Sequence, residues 1–552
     1  MPCEYGNTIP AGEKNYIYTI GAINEMKWYE NAIIYHIYPL GFCGAPKFND
    51  GGEVVYRLDK VLEWIGHFKE MNVDAIYFGP VFESVEHGYD TTDYKKIDRR
   101  LGDNSSFKRI CDTLHENGIK VILDGVFNHV GRKFPQFVDI QEKGQASGYC
   151  DWFQNLNFGG SSPCGDNFWY EGWNGHYNLV KLNLRNVGVC DHLIDAVNYW
   201  IEEFKIDGIR FDAADCIDFD FFKRIRSFCK GKNPDFWLMG EIIHGDYSRW
   251  ANPEMLDSTT NYECYKGLYS SHNDKNYFEI DYSINRQSGN YGIYKGIKLY
   301  NFVDNHDVNR LASTVNNQAY LPLIYTMLYT MPGIPSIYYG SEYGIQGRKE
   351  NNSDDNLRPC LYLADMEREN TALYRHIVKL GRIYRAYPAL RTGEYHTIII
   401  RNQQILYSKE QGGQTIYVAL NLSDCEFDLS FGTHLPALVD VIGAKQLSVE
   451  NGSAYIKMPP FSSMIIVSDD IVNNEPEADE QSVEDKETEI IVGAKYRHFK
   501  GGEYEVVSLA RHSETLEELV IYKSLSDGQV WARPKSMFVG KAGNVRRFKI
   551  EN

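Results

Sequence analysis

Four carboxylates stand where short apolar runs end: Asp124 in ILDGVFNH, Asp212 in GIRFDAAD, Glu241 in LMGE and Asp307 in FVDNHD. An acid at the end of an apolar strand costs free energy to bury unless it is paired. One such residue reads as a capped or salt-bridged acid. Four of them, with His129, Arg210 and His306 close by, read as a site. The chemistry that suits them is cleavage of a glycosidic bond with retention, in which one carboxylate attacks the anomeric carbon and a second acid protonates the leaving oxygen. Arg210 and Asp212 are two residues apart and share a strand face, where the cation would keep Asp212 ionised as a nucleophile. Glu241 closes an apolar run among other carboxylates, which is expected to raise its pKa toward that of a working acid. Asp307 could hold sugar hydroxyls and stabilise oxocarbenium-like charge, and His129 and His306 could donate hydrogen bonds to the same ring. A lone barrel histidine is more often a satisfied core residue.

These residues need elements to position them. Between residues 30 and 385, β-like runs at 33–38, 75–78, 120–127, 208–212, 236–241, 299–304 and 334–339 alternate with amphipathic stretches at 58–71, 107–117, 190–204, 221–229 and 320–330. This rhythm predicts an α/β protein with a parallel sheet, by size a (β/α)8 TIM barrel; an open doubly wound sheet is the alternative pattern. The C-terminal ends of barrel strands converge on one face, so the four acids would meet there. After GVFNH roughly 60 residues rich in Gly, Asn, Trp and Tyr precede the next expected helix, which predicts a small inserted domain near that face, about 130–180. Past residue 389 the alternation becomes that of an antiparallel β-sandwich, to 468. Residues 469–489 carry ten acids against one base, a net −9 in a chain of −18, and read as a disordered linker. Residues 491–552 read as a small SH3-like β domain, in which 11 Lys and Arg stand against six acids between 495 and 549, locally about +5.

Composition narrows the function class. A net charge of −18 argues against a nucleic-acid protein. Eleven scattered cysteines fit a reduced, cytoplasmic protein better than a disulfide framework. The first residues, MPCEYGNTIPAGEK, lack a basic head followed by an apolar run, and the apolar stretch 320–340 is broken by Pro322, Pro332 and Pro335, so neither a secretory signal nor a membrane span is expected. Aromatic residues make up 14% of the chain, enough both to fill core margins and to line a sugar groove.

DGVFNH, GIRFDAADC, the Glu241 strand and FVDNHD resemble the four signature regions of the α-amylase superfamily, glycoside hydrolase family thirteen, and SVEHGYDTTDY resembles its substrate-binding loop after the second strand. The resemblance spans about 33–385, and the sandwich is similar to the family's domain C. It implies Asp212 as nucleophile, Glu241 as acid/base and Asp307 as transition-state stabiliser, with Arg210, His129, His306 and Tyr89 contacting sugar. Asp124 and Asn128 match positions with structural roles. LVKLN at 179–183 resembles the MPKLN signature of the neopullulanase, cyclomaltodextrinase and maltogenic amylase group. Asp215 and Cys216 stand where many secreted α-amylases have Lys-His, and only about 30 residues precede the first strand, where that group has a large N-terminal domain. The tail resembles a small bacterial domain of unknown function.

The expectation is a retaining hydrolase of α-1,4 bonds in maltooligosaccharides, with cyclodextrins and pullulan as further candidate substrates. The alternatives are a transglycosylase or glucan isomerase on the same fold and a non-catalytic glucan-binding protein. No cofactor is expected; the loop GFCGAPKFNDGG lacks the alternating acidic ligands of a calcium site, so a structural calcium has no support there. Partners beyond the glucan, and the oligomeric state, are left open by the sequence.

Overall fold

The computed structural model describes residues 26–350, 353–368, 371–469, 490, 492–498, 501–512, 518–539, 541–542 and 545–550. The expected acidic linker lies outside these except for Asp469, as does all but the end of the N-terminal extension 1–29. Two compact units are present, divided at Val472.

In the first unit eight parallel strands follow one another around a barrel: β1 (Ile34–Ile37), β2 (Ala75–Phe78), β3 (Lys120–Gly125), β4 (Gly208–Phe211), β5 (Trp237–Gly240), β6 (Ser258–Thr259), β7 (Tyr300–Asn301) and β8 (Ile334–Tyr338). Hydrogen-bonded neighbours run from β6 down to β1 and on through β8 to β7. The ring closes between β6 and β7 by the parallel bridge Thr260↔Tyr300, with Asn261 N donating to Tyr300 O at 2.9 Å. This excludes the open doubly wound sheet.

Strand alternation sends every second residue into the barrel. At the N-terminal end the inward residues are apolar: Ile34, Ala75, Ile122, Trp237 and Ile334 pack in one cluster with Tyr29, whose ring stacks on Trp237 at 5.7 Å. Two residues further along β1, β2 and β3 the inward positions are His36, Tyr77 and Asp124, and Arg210 on β4 lies at the level of Asp124; all four are buried. The barrel is therefore plugged by apolar burial at one end and charged at the other, and burying each large apolar side chain stabilises by about 1.5–3 kcal/mol. A second, larger cluster joins the outer faces of the strands to the helices and continues into the sandwich through Ile405, Tyr407, Val418 and Ile465.

The connection after β3 is not a bare loop. Helix Pro135–Lys143 and a small antiparallel sheet of His129–Gly131, His176–Lys181 and Gly172–Trp173 order it, earlier than the sequence pattern indicated. The barrel is followed by antiparallel strands from Glu394–Ile400 to Ser462–Ser468, in which Lys445–Glu450 pairs with Leu438–Asp440 at one end and Ser453–Met458 at the other, passing between two sheets.

The second unit has a five-stranded antiparallel sheet, ordered Val530–Pro534, Glu518–Ser524, Glu503–Arg511, Lys495–His498 and Phe548–Ile550. Its own apolar cluster is built on Tyr496, Val506, Val520, Tyr522, Phe538 and Phe548. No described helix is long and apolar enough to cross a membrane.

Candidate active site

Strand register assembles the charged end of the barrel. In the β3–β4 ladder Asp124 lies directly opposite Arg210, and in β4–β5 Met239 does. Arg210 Nη1 donates to both oxygens of Asp124, at 2.8 and 2.9 Å, and to Asp212 Oδ1 at 2.9 Å. Its Nη2 lies 2.7 Å from Glu241 Oε2. One buried guanidinium thus holds three carboxylates. Just past β4 the backbone turns sharply: Ala213 adopts φ 43°, left-handed and unfavourable for a residue with a Cβ, and donates its N–H to Glu241 Oε2 at 3.2 Å. That turn draws the Asp212 and Glu241 carboxyls toward one another.

The charge balance departs from the sequence-based expectation. Arg210 does reach Asp212, yet burial together with the charges of Glu241 and Asp124 pushes the Asp212 carboxyl well above the usual carboxylate range, against the pull of Arg210. Three acids around one cation favour uptake of a proton, and the upward push falls on Asp212. Asp307 goes the other way. Burial opposes its ionisation, but the His306 imidazole, Arg358 and Arg210 hold it well below the usual range.

Asp307 and His306 come from the loop after β7. His306 Nε2 is 2.9 Å from Asp307 Oδ2 and within hydrogen-bonding reach of the Tyr89 hydroxyl, which lies 3.2 Å from Asp124 Oδ2. The half-buried Tyr89 ring stacks on His306 at 5.5 Å, and Tyr38 lies parallel to the same imidazole at 5.8 Å. His129 enters from the inserted sheet. Asn128 Nδ2 is 3.1 Å from its Nδ1, while its Nε2, 4.0 Å from Asp212 Oδ2, has no hydrogen-bond partner. Burial lowers its pKa to about 3, so the ring is neutral and can present an N–H to a ligand. All seven expected residues, Tyr89, His129, Arg210, Asp212, Glu241, His306 and Asp307, therefore converge on one end of the barrel.

Three further residues join them. Arg358, beyond β8, donates through Nη2 to Asp307 Oδ1 at 3.0 Å and through Nε to the His306 carbonyl at 3.0 Å, with its guanidinium over the Tyr38 ring. Tyr262 donates to Glu241 Oε1 at 3.3 Å, and Asn305 donates to Tyr262 at 3.2 Å while its Oδ1 accepts from Asp307 N at 2.8 Å. Asn305 was in view inside FVDNHD. Tyr262 and Arg358 carry no local motif and are brought in by the barrel's closure. Around the first βα loop the carbonyls of Gly51 and Gly52 accept from Arg99, and those of Pro46 and Lys47 from Arg100, so side-chain cations already hold this loop.

An open cleft of about 860 Å³ lies between the inserted sheet and the loop after β4, lined by Lys181, Asn183, Asp215, Cys216 and Phe219 among others. The ten described cysteines are free.

Known proteins sharpen this geometry. The family description "Alpha amylase, catalytic domain" matches residues 37–372, and a protein family of unknown function, DUF1653, matches 494–550. The chain is 30% identical over 439 residues to a cyclomaltodextrinase of a Bacillus species, covering 74% of this chain and 76% of that one. It is 29% identical to a maltogenic alpha-amylase of Bacillus acidopullulyticus, covering 80% and 79%. A solved cyclomaltodextrinase superposes with a TM-score of 0.73 at 28% identity, over 80% of this chain and 78% of that one. A barrel with carboxylates gathered at the C-terminal ends of its strands, matched along its length in this way, is decisive: the chain belongs to the alpha-amylase family of glycoside hydrolases.

Proposed function

We propose that this enzyme cleaves α-1,4-glucosidic bonds of maltooligosaccharides by double displacement, with cyclodextrins and pullulan as further substrates. Asp212 attacks the anomeric carbon, Glu241 protonates the leaving oxygen and later deprotonates water, and Asp307 stabilises the charge that develops between these steps. The observation that carries this reading is the single guanidinium of Arg210 bridging Asp212 and Glu241. Carboxyls linked so closely suit a nucleophile paired with an acid/base, which stand about 5 Å apart, rather than the wider pair that leaves room for a water. The proton that burial favours on Asp212 must sit on Glu241 when the bond breaks. Arg210 contacts both, so the transfer is between neighbours. His129 Nε2, Tyr89, His306 and Arg210 are the sugar-contact groups, and Arg358 fixes Asp307.

The relatives named cyclomaltodextrinase and maltogenic alpha-amylase support oligosaccharides over long starch. Residues 30–388, with their insertion at about 130–180, are then the catalytic part, and 389–468 the sandwich beside it. The open cleft next to Asp215 and Cys216 can seat a second sugar as well as water, so transfer onto an acceptor competes with hydrolysis at high substrate. The test is product analysis with maltoheptaose, β-cyclodextrin, pullulan and isomaltose, following the anomer first released by NMR. Release of the α-anomer from the α-1,4 substrates is expected. Initial release of the β-anomer, or cleavage of isomaltose alone, would sink the reading.

A further inference from the structure

The exposed thiols of this chain differ in what stands beside them. Cys216 faces Asp215, and Cys425 Sγ donates to Asp424 Oδ1 at 3.5 Å, so each of these has a carboxylate for a neighbour. Cys360, also exposed, has an ammonium: Lys60 Nζ donates to its sulfur at 3.3 Å. The same ammonium donates to the Phe42 carbonyl at 2.9 Å and lies over the Tyr362 ring at 3.8 Å. Lys60 thereby ties the end of the helix Pro39–Phe42, after β1, to the segment after β8.

A second thiol lies between these contacts. Cys43 is buried, follows Phe42 directly and precedes Gly44, where a Cβ would stand 2.9 Å from Cys360 Sγ and 3.3 Å from Cys360 Cβ. On its Phe42 side Cys43 is joined to Cys360 through Lys60, and on its Gly44 side the chain touches Cys360 itself. The missing side chain of Gly44 is what lets that sulfur come so close. Exposure and charge divide the roles. Cys360, in the open and beside a cation, suits the sulfur that meets an oxidant. Burial pushes the Cys43 thiol up to about 12, so it keeps its proton and suits the partner that resolves the oxidised sulfur.

We propose that Cys43 and Cys360 form an oxidisable dithiol, which hydrogen peroxide converts into a disulfide between the loops after β1 and β8. The Cys360 sulfur attacks the peroxide and breaks its O–O bond; the sulfur becomes a sulfenic acid and the other oxygen leaves as water. Cys43 then attacks that sulfur, the S–S bond forms, and the hydroxyl leaves with the Cys43 proton as a second water. Two thiols are oxidised and one peroxide is reduced. The consequence reaches the acids through Arg358, two residues before Cys360. A Cβ on Gly41 would stand 2.3 Å from the Arg358 carbonyl, so the same two segments meet there too. Closing the S–S bond draws the Cys360 sulfur off Lys60 and onto Cys43, and turns the backbone that presents Arg358 to Asp307. The disulfide lowers activity by loosening that grip.

The test takes the full chain, fully reduced, then exposed to hydrogen peroxide with and without later dithiothreitol. Peptide mass mapping is expected to show a Cys43–Cys360 link, while maltotriose kcat/KM falls about fivefold or more and returns on reduction. Cys43→Ser and Cys360→Ser should each stay within about twofold of the starting activity and lose the response, and Lys60→Met should slow oxidation of Cys360 several-fold. In Arg358→Ala the link should form without a further fall in activity. Absence of the link after peroxide overturns the proposal. So does a link that leaves activity unchanged, or one that inactivates the Arg358→Ala chain to the same degree. Mass mapping needs no substrate, so the link is tested separately from the reading of the barrel as an α-glucan hydrolase.

Discussion

Arg210 sets the charge balance of the site, because three of its four acids, Asp124, Asp212 and Glu241, touch the same cation. Asp212, its carboxyl pushed upward, is held in the fold at a cost when ionised. A carboxyl whose folded pKa lies above its unfolded value favours folding below the unfolded value, and loses that advantage as pH rises through the folded value. Asp212→Asn removes the cost and leaves Arg210 its bonds to Asp124 and Glu241. The variant should therefore melt about 2 °C or more above the parent at pH 7, with the gap closing as pH falls through the ordinary carboxylate range, while hydrolysis drops about a thousandfold or more. Calorimetric melts at pH 7 and pH 4 read the first outcome and maltotriose turnover the second; an equal melting temperature at both pH values would contradict the charge argument. Arg358 acts through Asp307, which it helps keep ionised. Arg358→Ala should lower kcat/KM on maltotriose about a hundredfold, and Arg358→Lys, which keeps the charge but not the fork to the His306 carbonyl, should recover only part of it. Full activity in the alanine variant would remove Arg358 from the site.

At the scale of elements, what places Arg358 is contact between two loops. The short helix Pro39–Phe42 after β1 packs so tightly on the segment after β8 that a Cβ on Gly41 would stand 2.3 Å from the Arg358 carbonyl. Gly41→Ala must displace that segment and with it the grip on Asp307. Activity should fall about tenfold or more, with a loss of stability of about 1–3 kcal/mol by denaturant titration. Unchanged activity would mean the β8 loop tolerates the shift. The sequence made part of this scale legible. Strands such as Ala75–Phe78 and Gly208–Phe211 are apolar runs that end in chemistry, and the pattern found seven of them. It missed β6, because Ser258–Thr259 spans two residues and has no periodicity, and it drew β7 too long. The helices Tyr262–Asn273 and Tyr277–Ser288 were missed too, and with them Tyr262, because Tyr and Asn dilute their apolar stripe. The acids were legible because each sits in a compact motif. Arg358 was not, because its partner Asp307 lies about fifty residues away and only barrel closure joins them.

At the scale of the whole molecule, the distribution of apolar clusters says which parts depend on which. The cluster that covers the outside of the barrel continues without a break into the sandwich, where Tyr407, Val418 and Ile465 belong to it. Thr330 and Tyr407 share a hydrogen bond across that boundary, and Lys298 Nζ donates to the Arg391 carbonyl at 2.9 Å. The unit beyond Val472 closes a separate cluster of its own. A cut through a shared cluster exposes apolar surface at a cost of about 25 cal/mol per Å², whereas a cut between clusters exposes little. Ending the chain after residue 472 should therefore leave maltotriose kcat/KM within about twofold and a cooperative melt close to that of the full chain. Ending it after residue 388 should give a protein that aggregates on expression or melts far lower, although every acid of the site is still encoded. If the 1–472 chain proved inactive while still folded, the C-terminal unit would have to contribute to catalysis, and the reading of the barrel as self-sufficient would fail. If the 1–388 chain folded and turned over substrate, the continuous cluster would not be what holds barrel and sandwich together.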